Sequence, residues 1–212
     1  MTPSELTIPM TTPLRIKDSW TYRCRIQITA LCVIAGLCAT VLTPPTYPEG
    51  TALDHWTDGI AFGLLLMAIL LRLWAASHIC GRKSKSLVTT GPYAICRNPL
   101  YVGTLLIAIS QMMILRSFAF TLVCMIPIVL YVLCVVPAEE QVLRNRLGDA
   151  YLNYCRQVSR WFPRWSGLNF QWGRPEAPAA FRTECIRSIW WLLLPLASEF
   201  ICGLRELITR SF

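Results

Sequence analysis

Chemistry is most readily assigned to the segment 91–101, which leads directly into a long apolar run. Asn98 followed by Pro99 is typical of a helix start, in which asparagine is the N-cap and proline is the first helical residue. Such a helix end presents free N–H groups and a partial positive charge. The segment is therefore a candidate site for a carboxylate or a phosphate.

The polar residues of this segment also have simpler interpretations. Asn98 could serve only as a helix cap, and Tyr93 and Tyr101 could serve only as anchors at the membrane interface. Arg97 is either an anchor for an anion or a plain interfacial charge. The residues alone leave these alternatives open.

A pair of adjacent carboxylates, Glu139 and Glu140, directly follows another apolar run. Two carboxylates at a membrane boundary are costly unless water or a partner charge stabilises them. The pair is therefore a second candidate site. A solvated helix start is the alternative, because acidic residues favour first turns and Glu140 could pair with Arg144 four residues later.

The composition is that of an integral membrane protein. Of the 212 residues, 54% are hydrophobic and 15% are charged, against roughly 25% charged residues in an average soluble protein. A soluble fold of this size could not bury so much apolar surface in one core. The net charge of +8 comes from basic residues that flank apolar runs. This pattern indicates topology signals and contacts with membrane lipids rather than with nucleic acid.

Cysteine and histidine do not have the spacing of metal ligands. Ten cysteines occur without any CxxC pair, and the two histidines, His55 and His78, are far apart in the sequence. Cysteines inside apolar runs behave as small hydrophobic residues. We therefore expect no bound metal and no haem.

The apolar runs predict four transmembrane helices, over 26–42, 59–79, 100–115 and 118–138. Only Arg116 and Ser117 separate the last two, so these form an antiparallel helical hairpin. A cytosolic amphipathic helix is predicted over 139–161, where apolar residues recur at helical spacing. The C-terminal run 189–204 is either a fifth span or a helix that lies in the membrane interface.

The predicted architecture is therefore an all-α integral membrane protein with three parts. A polar N-terminal segment covers 1–25, a transmembrane domain covers 26–165, and a linker with the C-terminal hydrophobic helix covers 166–212. Arg72 interrupts the second apolar run and is predicted to point into the protein, because an arginine in lipid costs about 2.5–3.5 kcal/mol on insertion scales. Snorkelling to the headgroups is the alternative.

The distribution of basic residues predicts the orientation in the membrane. Lys and Arg number four in 1–25, none in 43–58, four in 80–99 and eight in 139–187. Cytoplasmic loops carry the excess of basic residues. The two candidate sites should therefore meet on the cytoplasmic face.

Taken together, the motifs resemble those of one superfamily. The first string contains Leu87, Gly-Pro-Tyr at 91–93, Arg-Asn-Pro at 97–99, Tyr101 and Gly103. After the hairpin, the second string contains Glu-Glu at 139–140, Leu143, Gly148, Tyr151, Tyr154, Arg160 and Pro163. In this order, the strings resemble the integral-membrane isoprenylcysteine carboxyl methyltransferases and phospholipid N-methyltransferases. The resemblance covers about residues 60–163.

The resemblance implies a methyltransferase that uses S-adenosylmethionine, with a cofactor site on the cytoplasmic side and an acceptor that enters from the bilayer. The acceptor could be a prenylcysteine carboxylate, an amino-phospholipid or a small thiol. The implied catalytic residues are Glu139, Glu140 and Arg97. The implied cofactor-binding residues are Gly91, Pro92, Tyr93, Arg97, Asn98, Pro99, Leu100, Tyr101, Glu139, Tyr151 and Tyr154. Because the chain has no GxGxxG motif, boundary loops and helix ends would hold the cofactor.

Individual roles follow from the same resemblance. The backbone amides around Leu100 and Tyr101 would suit the cofactor carboxylate, and one glutamate of the pair would suit its amino group. The other glutamate would orient or deprotonate the acceptor. Where these enzymes usually have Arg-His-Pro, this chain has asparagine at position 98. Asn98 still donates a hydrogen bond, but it neither carries charge nor acts as a base near neutral pH.

Two other functions fit parts of the sequence. A non-catalytic membrane protein could retain the fold, since the histidine of the family pattern is missing. A reductase similar to the membrane sterol reductases would share the C-terminal pattern, although those proteins are considerably larger. Binding of S-adenosylmethionine would separate a methyltransferase from both.

The orientation can be tested by cysteine labelling in intact vesicles. We expect a membrane-impermeant reagent to reach Gly50→Cys and Ser84→Cys from opposite sides, because the basic residues put these loops on different faces. The parent protein with its native cysteines gives the background. Labelling of both positions from the same side would contradict this orientation.

Overall fold

The computed structural model describes residues 20–82, 86–163 and 170–210, with the side chains from 24 to 208 in these ranges. These ranges contain helices and loops but no strand. The helices are α1 (Trp20–Leu42), α2 (Ala52–Ile79), α3 (Pro92–Ile95), α4 (Pro99–Leu115), α5 (Phe118–Leu130), a π-helical segment (Tyr131–Val135), α6 (Val136–Gln157), α7 (Pro178–Leu192) and α8 (Leu194–Arg210). The all-α fold predicted from the sequence is confirmed. Most of the predicted polar segment 1–25 lies outside the described residues, and α1 begins within its last part.

Four helical segments are long and apolar enough to cross a membrane. They are Cys24–Leu42, Ala52–Ile79, Phe118–Gln157 and Pro178–Ile208. The predicted span over 100–115 corresponds to α4, a shorter apolar helix of 17 residues. At a rise of 1.5 Å per residue, α4 is about 25 Å long, slightly less than the hydrocarbon core of a bilayer.

Lipid-facing surface accounts for the high apolar content. Large apolar side chains are exposed on the outside of the bundle, among them Ile34, Leu70, Leu133, Leu196 and Phe200. In water such a surface would be unfavourable, but in a bilayer it contacts hydrocarbon. The chain therefore has the surface of an integral membrane protein, as its composition predicts.

The two ends of the helical bundle have different connections. At one end, which we call the turn end, the α1–α2 loop meets the α4–α5 turn, and the Thr46 amide donates to the Arg116 carbonyl at 2.8 Å. At the other end, which we call the site end, α3 and the start of α4 meet the end of α6. There the Arg97 amide donates to the Ser159 carbonyl at 2.9 Å. The two segments predicted to meet on one face therefore lie together at the site end.

The C-terminal helices run the full length of the bundle. At the site end the Glu176 amide donates to the Cys80 carbonyl at 3.0 Å, and at the turn end Arg205 donates to the Leu115 carbonyl at 3.3 Å. Pro195 lies in the first turn of α8, where a proline is tolerated. Of the two alternatives for the run 189–204, the structure therefore favours a fifth span over an interfacial helix.

The fourth predicted span and the predicted amphipathic helix form one long bent segment. The π-helical segment Tyr131–Val135 joins α5 to α6 without a loop. Gly148 has φ +54° and ψ −132°, a conformation that favours glycine, and it breaks the regular helix of α6. The predicted span and the predicted amphipathic helix are therefore continuous, and the helix bends at these two points before it ends at Gln157.

Arg72 points into the protein, as predicted from the sequence. Its side chain is buried between α2, α4 and α7, and it forms an ion pair with Glu184 at 2.6 Å. Gly103 on α4 faces it, and a Cβ atom at this position would lie 2.4 Å from Cγ of Arg72. A glycine is therefore needed for α4 to approach α2 closely enough to contact the arginine.

A buried ion cluster closes the turn end. Arg116 has φ +47° at the α4–α5 turn, is 4% exposed, and pairs with Asp54 on α2. It also pairs with Glu49 at 2.6 Å. These ion pairs connect the α4–α5 turn to the α1–α2 loop and to the start of α2.

We expect Asp54→Asn to destabilise the protein, because it leaves the buried Arg116 without its α2 partner. Breaking a buried ion pair costs about 3–5 kcal/mol. At about 2–4 °C per kcal/mol for a chain of this size, the midpoint of thermal unfolding should fall by roughly 6–20 °C. Thermal unfolding in detergent measures this, with the exposed Asp149→Asn as the matched control. Equal midpoints for the two variants would contradict a stabilising role of the cluster.

Candidate functional site

The loop before α4 is fixed by close backbone contacts. Gly91 has φ +61°, and a Cβ atom at this position would lie 2.3 Å from Nε2 of His78. The neighbouring Tyr93 is buried, and its carbonyl accepts a hydrogen bond of 2.6 Å from the hydroxyl of Tyr154. The backbone conformation therefore requires the glycine, and Pro92 suits the first helical position. The tyrosine side chain packs against Ala75 and Val88.

Asn98 occupies the N-cap position of α4, but its side chain does not cap the helix. The side-chain Nδ2 group of Asn98 instead donates to Oε1 of Glu140 at 2.9 Å. The Asn98 carbonyl accepts hydrogen bonds from the amides of Tyr101 and Val102, both at 3.0 Å. The expected side-chain cap is therefore wrong, because the Asn98 side chain is directed towards α6, where its Nδ2 group donates to Glu140. The Tyr101 amide, expected to bind an anion, is already bonded within the chain.

Glu140 is the centre of a polar network at the site end. It is 4% exposed, and Oε2 accepts hydrogen bonds from Nε and NH2 of Arg160 at 3.0 and 2.8 Å. Nε of Arg97 lies 3.4 Å from Oε1 of Glu140. The carboxylate therefore joins α6 to both sides of the loop before α4. The alternative of a pair with Arg144 is not what the structure shows.

The charges of this network do not cancel. Arg97 and Arg160 face the single carboxylate of Glu140, which leaves one positive charge. Nε of Arg97 is buried and forms no hydrogen bond within the described parts of the chain. The side chain of Arg160 is 39% exposed, so the network reaches the surface of the protein. This arrangement can bind an anionic group, and a carboxylate fits its donors.

Glu139 faces a different set of side chains from its neighbour. Arg25 of α1 lies 3.5 Å from Oε1 of Glu139, and the same NH1 atom donates to the Tyr101 hydroxyl at 3.5 Å. The ring of Tyr131, in the π-helical segment, lies 5.9 Å from that of Tyr101. Successive residues of an α-helix point about 100° apart, so the two glutamates belong to two separate clusters.

The two tyrosines predicted on α6 are packing residues of the loop. Tyr151 and Tyr154 are buried together with Val158, and their rings are 6.0 Å apart. The hydroxyl of Tyr154 is occupied by the Tyr93 carbonyl. Burial raises the pKa of Tyr93 well above its ordinary value, and it also raises the pKa of the Cys96 thiol. Both groups are therefore protonated at neutral pH.

Two residues of the site were not singled out as site residues from the sequence. Arg160 belongs to the second motif string, and its position in that string is the sequence signal that could have identified it as a site residue. Arg25 carries no local signal, because it lies on α1, far from both motifs. Of the predicted residues, the structure brings Arg97 and Asn98 together with Glu140, and Tyr101 near Glu139.

Comparison with known families gives a match over part of the chain. The phospholipid methyltransferase family matches residues 59–150 of this chain. This range includes most of α2, the loop before α4, the hairpin and the glutamate pair. It ends before Arg160. The matched domain therefore contains most of the polar network at the site end.

Three curated proteins are similar to the chain. A cobalt-zinc-cadmium resistance protein of Cupriavidus metallidurans is 29% identical, over 87% of this chain and 85% of that protein. A nickel-cobalt-cadmium resistance protein of Alcaligenes xylosoxydans xylosoxydans is 29% identical, over 82% of this chain and 81% of that protein. A protein-S-isoprenylcysteine O-methyltransferase of Schizosaccharomyces pombe is 33% identical, over 41% of this chain and 38% of that protein.

No solved structure matches the chain significantly. The family match and the isoprenylcysteine enzyme agree with the motif strings and with the helical membrane fold. Over part of its length, including residues 59–150, the chain is similar to the integral-membrane methyltransferases, among them the phospholipid methyltransferases and the isoprenylcysteine enzymes.

Proposed function

We propose that the protein uses S-adenosylmethionine to methylate a lipophilic or membrane-partitioned acceptor. The observation that carries the proposal is the contact between the two motifs, in which Arg97 and Asn98 of the first meet Glu140 of the second. The similarity to the phospholipid methyltransferase family and to the isoprenylcysteine enzyme supports the type of reaction. The basic residues of the segments at the site end support a site on the cytoplasmic side.

The cofactor side of the proposed site is the network around Glu140. Its surplus positive charge and the unbonded Nε of Arg97 would suit the carboxylate of S-adenosylmethionine. Arg160 would share this contact, since it belongs to the same network and reaches the surface. Glu140 would hold both arginines and Asn98 in place. The tight loop at Gly91 and the buried Tyr93 would form the wall next to them.

The acceptor side of the proposed site is the cluster around Glu139. Arg25, Tyr101 and Tyr131 lie where α1, α4 and the π-helical segment meet. Single-turn π-helical segments often occur at functional sites, because they interrupt the regular backbone hydrogen bonds. We therefore assign Glu139 to the acceptor and Glu140 to the cofactor.

The chemistry needs alignment more than acid or base groups. S-Adenosylmethionine would supply a methyl group on a positively charged sulfur, which the acceptor displaces in line. Alignment in a dry pocket contributes up to roughly 7–11 kcal/mol in model systems. A carboxylate acceptor is already a nucleophile at neutral pH, whereas an ammonium or a thiol must first lose a proton. Glu139 would take that proton, since the carboxylate of Glu140 already accepts from Asn98 and Arg160.

The names of two relatives favour an additional role in resistance to heavy metals. Both cover more than four fifths of this chain. Within the described ranges, no three or more His, Cys, Asp or Glu side chains are grouped so that they could hold a metal ion. We propose that a contribution to resistance would be made through the methyltransferase site, by modification of a membrane component.

Glutamine variants of Glu139 and Glu140 should affect different steps, turnover in one case and cofactor binding in the other. Glu140→Gln should weaken binding of S-adenosylmethionine by about 10- to 100-fold, because hydrogen bonds to a charged group contribute about 1.5–3 kcal/mol. Glu139→Gln should leave binding intact and lower turnover. Equilibrium binding to the detergent-solubilised protein and transfer of labelled methyl groups to membrane lipids and small thiols measure the two effects.

The matched control for both variants is Glu176→Gln. Glu176 also pairs with an arginine, but the Glu176 side chain is 54% exposed, so binding and turnover should not change. If the wild-type protein does not bind S-adenosylmethionine, the proposed function is wrong. If it binds but the two site variants behave like the control, the assignment of the glutamates is wrong.

Substitutions at position 98 test the contact between α4 and α6. Asn98→Asp should weaken binding of S-adenosylmethionine by about tenfold or more, because it places a second carboxylate next to Glu140. Asn98→His keeps an N–H donor and should bind within about tenfold of wild type. Isothermal titration of the purified variants measures both values. Equal affinities of the aspartate and histidine variants would show that this contact does not support the cofactor site.

A further inference from the structure

A buried ion pair links the C-terminal helices to the middle of the bundle. Arg72 on α2 is 8% exposed, and its Nε and NH2 atoms donate to Oε1 of Glu184 on α7 at 2.9 and 2.6 Å. The guanidinium also lies over the ring of Trp191, 4.3 Å from its centroid. A charge at this depth requires such partners, because lipid does not solvate it.

The same guanidinium holds the first turn of α4. NH1 of Arg72 donates to the Leu100 carbonyl at 2.8 Å and to the Thr104 hydroxyl at 2.6 Å. The Thr104 hydroxyl in turn donates to the Leu100 carbonyl at 3.0 Å. Leu100 is two residues after Asn98, which contacts Glu140. Arg72 is therefore attached to the part of α4 that begins the candidate site.

The arginine is arranged as a link and not as a ligand-binding group. Four of its five N–H donors have acceptors within the protein. Gly103 leaves the space that lets the side chain reach α4. Glu184 fixes the guanidinium from the opposite side, because it accepts from two of its nitrogens. The direction in which Arg72 donates to α4 therefore depends on the carboxylate of α7.

We propose that Glu184 is a positioning residue for the methyltransferase site. Through Arg72 it holds the first turn of α4 so that Asn98 and Arg97 face Glu140. Glu184 lies outside the residues 59–150 that match the family, so the C-terminal helices complete the site of the matched domain. The inference rests on the proposed function, and the thiol of Cys96 gives a readout that is independent of it.

Cys96 reports the position of the start of α4. Its Sγ atom accepts a hydrogen bond from the backbone N–H of Asn98 at 3.4 Å and donates to the Arg160 carbonyl at 3.2 Å. The residue is buried. A shift of α4 would break these contacts and expose the thiol. Cys202, which is also buried but lies at the turn end, would become exposed only on general unfolding.

The experiment compares four forms of the full chain with wild type in detergent. Glu184→Gln removes the negative charge, and Glu184→Asp retains it. The exchanged pair, Arg72→Glu with Glu184→Arg, restores the ion pair but has no N–H group at position 72 for the Leu100 carbonyl. Glu199→Gln, at an exposed position on α8, is the matched control. Alkylation of each cysteine is followed by mass spectrometry, and binding of S-adenosylmethionine is measured in parallel.

We expect Glu184→Gln and the exchanged pair to bind S-adenosylmethionine about 10- to 100-fold more weakly, as a displacement of about 1 Å at a site can cause. In both, Cys96 should react faster while Cys202 stays protected. The affinity and the Cys96 reactivity of Glu184→Asp should be closer to wild type than those of Glu184→Gln, and Glu199→Gln should equal wild type.

An exchanged pair with wild-type binding and a protected Cys96 would overturn the proposal, since the ion pair would then be only structural. If Glu184→Gln does not fold, the exchanged pair decides. If wild type does not bind S-adenosylmethionine, the proposed function fails, and the alkylation of Cys96 still decides whether Glu184 positions α4.

Discussion

A charged side chain between membrane helices needs partners from other helices, because the bilayer core offers no water in their place. Several ion clusters in the described parts of the chain follow from this requirement, the pair of Arg25 with Glu139 among them. Arg116 pairs with Asp54 at the turn end, Arg72 pairs with Glu184 within the bundle, and Glu140 pairs with two arginines at the site end. Apolar contacts would not choose between neighbours, since lipid is as apolar as a leucine side chain. The charges therefore add specific partners to the close packing of the helices.

Asparagine in place of the family histidine at position 98 changes how the contact between α4 and α6 depends on pH. The family pattern has histidine there, whose charge changes near neutral pH. In this chain the neutral amide of Asn98 donates to Glu140 at any physiological pH. The link between α4 and α6 is therefore independent of protonation at this position. A proton acceptor, where the methyl acceptor needs one, would have to come from another residue, and Glu139 is the nearby carboxylate outside the network of Glu140.

Much of the fold could be predicted from the sequence, because the signals are local. The apolar runs gave α1, α2 and the long segment after Phe118, and the two residues between α4 and α5 required a hairpin. The bends at the π-helical segment and at Gly148 could not be predicted, since a single glycine or proline is found in regular helices as well as at bends. Whether the C-terminal helices lie in the interface or cross the bundle depends on their contacts with α1, α2 and α4. Arg205 shows this, because its partner is the Leu115 carbonyl.

For the candidate site, the sequence by itself determined the membrane class, the two motif strings and their placement at one end of the bundle. These features follow from composition, from residue order and from the distribution of basic residues. The tertiary structure alone decided that Asn98 bonds to Glu140 and not to its own helix, and that Glu139 and Glu140 face different partners. It also brought Arg25 and Glu184 next to the matched domain. Such contacts join residues far apart in the chain, and no local pattern of residue types encodes their distance or direction.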